Sequence, residues 1–181
     1  MTARKTTTWL AVPAILLSLA ACGSTEVAGS PVAPTTSSAP KTSEPKPGAP
    51  TYQAAVERWV TQILQKHYEK ACLSSAPVLP PGQDAKTLCK RPEAQKSAAS
   101  LHEAWAKPGV ALPPQGKVTV DEVSATGDQV TVPDTAVKLD GRTLRSLELI
   151  GATGNTGSFS LTFKVQKHEG AWYVQGFDLG F

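Results

Sequence analysis

From Thr51 onward the chain alternates between two hydrophobic rhythms. Tyr52, Val56, Trp59, Ile63, Leu64, His67 and Ala71 recur three and four residues apart, the spacing of one face of an α-helix. This predicts an amphipathic helix of about five turns, with Thr51 as its N-cap. Pro77, Pro80, Pro81 and Gly82 then enforce a loop. A second helix is expected after Arg91, with Pro92 in its first turn, where a missing N–H costs nothing. Ala94, Ala98, Leu101 and Trp105 mark its buried side, and Pro108-Gly109 stops it.

After Pro113-Pro114 the period changes to two. Val118, Val120, Val123 and Ala125 change phase across Asp121-Glu122, which predicts a first strand with a bulge. Gly127-Asp128 makes a turn into Val130 and Val132, where Pro133 sets a break or an edge. Asp140-Gly141 is a two-residue hairpin signal. Leu144, Leu147 and Leu149 are assigned to a third strand. Phe159, Leu161, Phe163 and Val165 alternate with Ser160, Thr162, Lys164 and Gln166 in a long fourth strand. A turn at Glu169-Gly170 leads to a fifth strand from Trp172 to Asp178. The expectation is an α+β domain over residues 51–181, two N-terminal helices on a curved antiparallel sheet of about five strands. Its 131 residues suit one core and not two.

Upstream of Thr51 neither rhythm exists. Gly23 to Pro50 is mostly Ser, Thr, Pro, Ala, Gly and Val without an aromatic residue. Such a segment buries too little apolar surface to offset its ordering entropy, so residues 22–50 read as a tether with a coil span of roughly 30 Å. Before it, Arg4 and Lys5 precede an uncharged run from Trp9 to Ala21, short for a bilayer span but suited to a secretory signal over residues 1–21. Leu19-Ala20-Ala21-Cys22 resembles the bacterial lipobox. That resemblance implies a diacylglycerol on the Cys22 thiol, cleavage just before it, and attachment to the outer face of the cytoplasmic membrane. The Ala/Pro/Thr-rich composition suits a high-GC Gram-positive source.

Removing the leader changes the charge picture. The whole chain carries 18 basic and 15 acidic residues; without Arg4 and Lys5 the excess is one, and no basic footprint for nucleic acid remains. The cysteine count changes too. With Cys22 acylated, Cys72 and Cys89 are left, and an exported chain with an even remainder predicts a disulfide. Two buried thiols or half a metal site are the competing readings. The spacing, with no CxxC and no nearby histidine pair, disfavours zinc.

Candidate chemistry is sparse. Gly151-Ala152-Thr153-Gly154-Asn155-Thr156-Gly157 after Leu149-Ile150 resembles the dinucleotide-binding loop of NmrA-like and other atypical short-chain dehydrogenases. That loop needs a helix opening at its last glycine, whereas Ser158 to Leu161 has strand periodicity, and only 24 residues follow Gly157. It is read as a glycine loop between strands, and no nucleotide, cofactor or metal is expected. His67, His102 and His168 sit in no ligand spacing; His67 is placed on or beside the inner stripe of the first helix and His168 at a hairpin tip. If the last hairpin turns at Glu169-Gly170, Val165 pairs with Val174, Phe163 with Gly176 and Leu161 with Asp178. Asp178 would then share the apolar face, as a general base of raised pKa. The alternative, that the strand frays there and leaves Asp178 in water, is favoured because chain ends commonly fray.

Two helices, a meander and the closing Lys167-His168-Glu169-Gly170-Ala171-Trp172-Tyr173-Val174 look like the NTF2-like (cystatin-like roll) superfamily. The resemblance implies a roll that serves in some members as a ketosteroid-isomerase-type or dehydratase-like site and in others as a binding module. Trp59, Ile63, Trp105, Phe159, Phe163 and Trp172 fall on inferred inner faces. They are core residues or the lining of a cavity for an apolar ligand. The function expected first is a membrane-tethered, non-enzymatic module that binds an apolar small molecule or an envelope protein. An isomerase- or dehydratase-type acid–base enzyme is the alternative; it would need Asp178 or Glu148 inside the roll beside a tyrosine or second acid.

Overall fold

In a computed structural model the described residues are 48–79, 81–153 and 157–180. Cys22, the leader, the tether up to residue 47 and the centre of the glycine loop lie outside them. Helix α1 spans Tyr52–Leu64 and begins as expected, Thr51 accepting a hydrogen bond from the Ala54 N–H at 3.2 Å. Its buried stripe is Tyr52, Ala55, Val56, Trp59, Val60, Ile63 and Leu64. The five-turn expectation fails after Leu64. Lys66 takes a left-handed φ of 60°, which stops the helix, and a separate α2 runs Tyr68–Leu73. His67, placed on or near the inner stripe from its spacing, lies at that break and is exposed.

A 3-10 turn covers Ala76–Val78, and α3, Ala85–Lys90, is capped by Asp84 through the Thr87 N–H at 2.9 Å. Helix α4 spans Pro92–Trp105 with Ala98, Leu101, His102 and Trp105 buried. A disulfide joins Cys72 on α2 to Cys89 on α3 across a Cα–Cα distance of 5.5 Å, so the pair is bridged.

Strands β1 (Val118–Val120), β3 (Val137–Leu139) and β4 (Arg142–Thr143) form one antiparallel sheet, in that order. Strands β2 (Gln129–Pro133), β5 (Ser160–His168) and β6 (Ala171–Gly180) form a second, ordered β2-β5-β6. The architecture is α+β, helices against antiparallel sheets. Among the described residues there are six strands in two sheets and five α-helices, rather than one five-stranded sheet under two helices. β1 ends at Val120; instead of continuing in the ladder, Val123 bonds through both its N–H and its carbonyl to the Tyr52 hydroxyl, at 2.9 and 3.1 Å.

The segment assigned to a third strand is a helix, α5, Leu144–Glu148. Leu144 and Leu147 are three apart and both fully buried, which is helical spacing, and Thr143 caps the turn through the Ser146 N–H. The glycine loop therefore joins a helix to β5. Both two-residue hairpins are as expected: Asp140-Gly141 and Glu169-Gly170 have positive φ at both positions, the backbone a type I′ turn requires. Helix α1 packs on β1, β5 and β6. One apolar cluster, with Ile63, Trp105, Leu139, Leu144 and Phe163 among its most buried members, fills the space between helices and sheets.

Residues 48 and 49, expected to belong to the tether, pack on the domain. Ala49, 2% exposed, exchanges two backbone hydrogen bonds with Trp172 at 3.0 and 2.8 Å. Gly48 sits so close that a Cβ there would overlap Ala171 and the Tyr173 hydroxyl. Among the described residues no helix is long and apolar enough to cross a membrane.

Candidate functional site

The register of β6 decides the fate of Asp178. Val165 pairs with Val174 as expected, but a bulge follows: Lys164 pairs with Gly176, Phe163 with Phe177, and Thr162 with Asp178. Gln175 is the extra residue. It shifts the rest of the strand by one position and turns Asp178 to the solvent side, where it meets Lys164 Nζ at 2.8 Å with 61% of its side chain exposed. The favoured reading, Asp178 in water, holds, though not through fraying, and the buried-base reading falls. The carboxylate is in water because of the bulge; the strand itself continues to Gly180.

The same bulge helps to open a cleft of about 290 Å³. One wall is Trp59 of α1 with Phe177 of β6, their rings 6.2 Å apart. Tyr68, Ala71 and Cys72 of α2, with Ser75 and Leu79 beyond it, form another, and Ala94, Ser97 and Ala98 of α4 the third; Gln175 and Gly176 complete it. The space exists because helix and strand meet there through small side chains. Ala94, Ser97 and Ala98 share one helix face at three- and four-residue spacing, and Gly176 contributes no side chain. No lining residue carries a charge. Burial, and then the Glu103 carboxylate, raise the Tyr68 phenol above its usual value, so Tyr68 too is neutral near pH 7.

The six aromatic and aliphatic pocket candidates separate accordingly. Trp59 lines the cleft. Ile63, Trp105 and Phe163 are fully buried and packed into the core, where the Trp59 and Phe163 rings meet edge-on at 5.8 Å. None of the three is among the residues that line the cleft. Phe159 lies half-buried under the Arg145 guanidinium, 5.3 Å from its ring centroid. Trp172 lies against Tyr52 and under Lys167 Nζ. His168 is exposed at its hairpin tip, and His102 is buried, its Nδ1 3.2 Å from the Ile63 carbonyl.

A second cluster lies at the far end of α4, about 10 Å along the axis from Ala98 to Trp105. Glu148 of α5 accepts a hydrogen bond from Trp105 Nε1 at 2.7 Å, and its other oxygen is buried with no donor. Asp134, in the turn between β2 and β3, is 2% exposed; it accepts from the Leu161 N–H at 3.0 Å and stands 3.6 Å from Arg145. The Glu148 pKa is pushed up to about 7, first by burial, then by the charge of Asp134 and a hydrogen bond shared with it. The Trp105 bond and Arg145 oppose the rise. Glu148 Oε2 has no donor when the acid is ionised, and protonation supplies a hydrogen that can be shared with Asp134.

Sequence reasoning named Trp59 and Glu148 but missed Asp134 and the rest of the cleft. Pro133-Asp134-Thr135 is a turn signal, which marks a bend and not a carboxylate facing inward. Among the described residues no cluster of three or more His, Cys, Asp or Glu could hold a metal. Compared with known proteins, the chain matches no family model, no curated relative and no solved structure.

Proposed function

We propose that this protein is a lipid-anchored, extracytoplasmic binding module of NTF2-like roll type, held at the membrane by diacylglycerol on Cys22. The uncharged, aromatic-walled cleft carries the binding part of that reading. A pocket built largely of apolar side chains with few polar groups is the usual make-up of a small-molecule site. The Cys72–Cys89 bridge fits an oxidising compartment, and the way Gly48 and Ala49 dock on β6 fits a domain held at one end of a tether. The test has two parts. Cys22→Ala should move the chain from the membrane to the soluble fraction or block its maturation. The chain extracted from membranes should carry a bound molecule through purification. Retention of the Cys22→Ala chain with unchanged mass refutes the anchor.

A second reading is favoured by the Glu148–Asp134 pair. Two adjacent carboxyl groups, one titrating near neutrality, are the parts of an acid–base catalyst. That reading requires turnover of an apolar substrate that Glu148→Gln abolishes without unfolding the domain.

A further inference from the structure

The geometry points to a small, uncharged ligand with an apolar, ring-bearing body and a few hydrogen-bonding groups, lying against the wall that Trp59 and Phe177 form together. This deepens the binding-module reading and rests on it.

Three observations carry the inference. The first is size. About 290 Å³ is at the lower limit of small-molecule pockets, roughly 300–1,000 Å³. It admits one compact molecule and leaves no room for a helix or for both chains of a membrane lipid. The second is charge. A charged ligand would surrender its hydration on entering and find no opposite charge among the lining residues, a large penalty. A neutral one loses little. The third is the distribution of polarity. Trp59, Phe177, Tyr68 and Leu79 supply apolar faces, and aromatic rings prefer to meet another ring offset or edge-on. Ser75, Ser97, Gln175 and the Tyr68 phenol bring the side-chain hydroxyls and amide that can hold a ligand's polar groups. The extra residue of the bulge thus supplies the one amide side chain on the cleft.

The cystine belongs to this site. Cys72 is a lining residue, and its bond to Cys89 ties α2, one wall of the cleft, to α3.

The test uses the full chain carrying Cys22→Ala, so that no acyl group competes for an apolar probe. N-phenyl-1-naphthylamine, neutral and aromatic, is titrated by fluorescence beside its sulfonated relative 1-anilinonaphthalene-8-sulfonate. Expected is one saturable site for the neutral probe, with the anion at least tenfold weaker. Ala98→Phe fills the cleft from its buried side, and Ala94→Phe, less buried on the same helix face, does so with a smaller demand on the core. Each should weaken the neutral probe at least tenfold, with circular dichroism showing the fold retained in at least one. Equal binding of both probes, or undiminished binding in a folded variant, overturns the ligand class. So does a Cys22→Ala chain with its cleft otherwise unaltered that binds neither probe. If the membrane-extracted chain then still carries a molecule of another class, or a protein partner, the binding-module reading survives while this one falls.

Discussion

Replacing Glu148 by glutamine tests the buried acid pair directly. The amide keeps the acceptor for Trp105 Nε1 and places an N–H donor where the protonated acid would have its hydrogen, facing Asp134, so it imitates the protonated side chain at every pH. In the wild type the folded-state pKa of about 7 lies above the ordinary glutamate value of 4.5. Between those values the folded chain binds more protons than the unfolded chain, so stability falls as pH rises through the window and stays reduced above it. At about 1.4 kcal/mol per pH unit the whole gap corresponds to roughly 3 kcal/mol. Glu148 is only partly buried, and solvent screening cuts this to about 1–2 kcal/mol. Urea unfolding followed by tryptophan fluorescence at pH 5 and pH 8 should show the wild type losing that amount. Glu148→Gln should change little from pH 5 to 8, match the wild type near pH 5, and exceed it by about 1–2 kcal/mol at pH 8. At roughly 3–5 °C per kcal/mol, its Tm at pH 8 should stand several degrees higher. Parallel pH profiles for the two proteins, or a variant weaker than wild type at pH 8, would refute the reasoning.

Reducing the Cys72–Cys89 bridge, or replacing both cysteines by alanine, should cost about 3 kcal/mol for a closed loop of this size, and it should weaken probe binding by loosening α2; unchanged urea midpoints would contradict this. Gly48→Val should dislodge the end of the tether from β6, raising protease cleavage near residue 48 and lowering stability by about 1–2 kcal/mol; equal cleavage rates would show that the contact is dispensable. Asp178→Asn removes one side of an exposed ion pair with Lys164 and should change stability by less than about 0.5 kcal/mol. A larger loss would mean that Asp178 is less solvated than its place on β6 implies.

What the sequence showed and what it concealed follow one physical division. Local rules were readable. Thr51 as a cap, Pro92 in a first turn, and the Asp140-Gly141 and Glu169-Gly170 turns each depend on a few neighbouring residues, and all stand where their chemistry puts them. Several readings that depend on distant context failed, although the Cys72–Cys89 bridge stands. Leu144, Leu147 and Leu149 suit a strand or one turn of helix, and the cap at Thr143 decides for the helix. The Gln175 bulge is silent in sequence because any residue can occupy it, yet it separates Asp178 from the apolar side and opens the cleft beside Phe177. Asp134 and Glu148 meet only because α5 folds back beside the turn between β2 and β3. The cleft itself has no positive signature: it is the space left by Ala71, Ala94, Ser97, Ala98 and Gly176, and small residues in a pattern read equally well as close packing.

The proposed Cys22 anchor and the proposed occupied cleft meet in one molecule. Native mass spectrometry of the chain extracted from its own membranes tests both halves in one spectrum. Expected is a chain that begins at Cys22 with added diacylglycerol mass, carrying one small neutral molecule that is absent from the Ala98→Phe or Ala94→Phe variant. A chain with residues 1–21 still attached, no lipid mass and no bound molecule would contradict it.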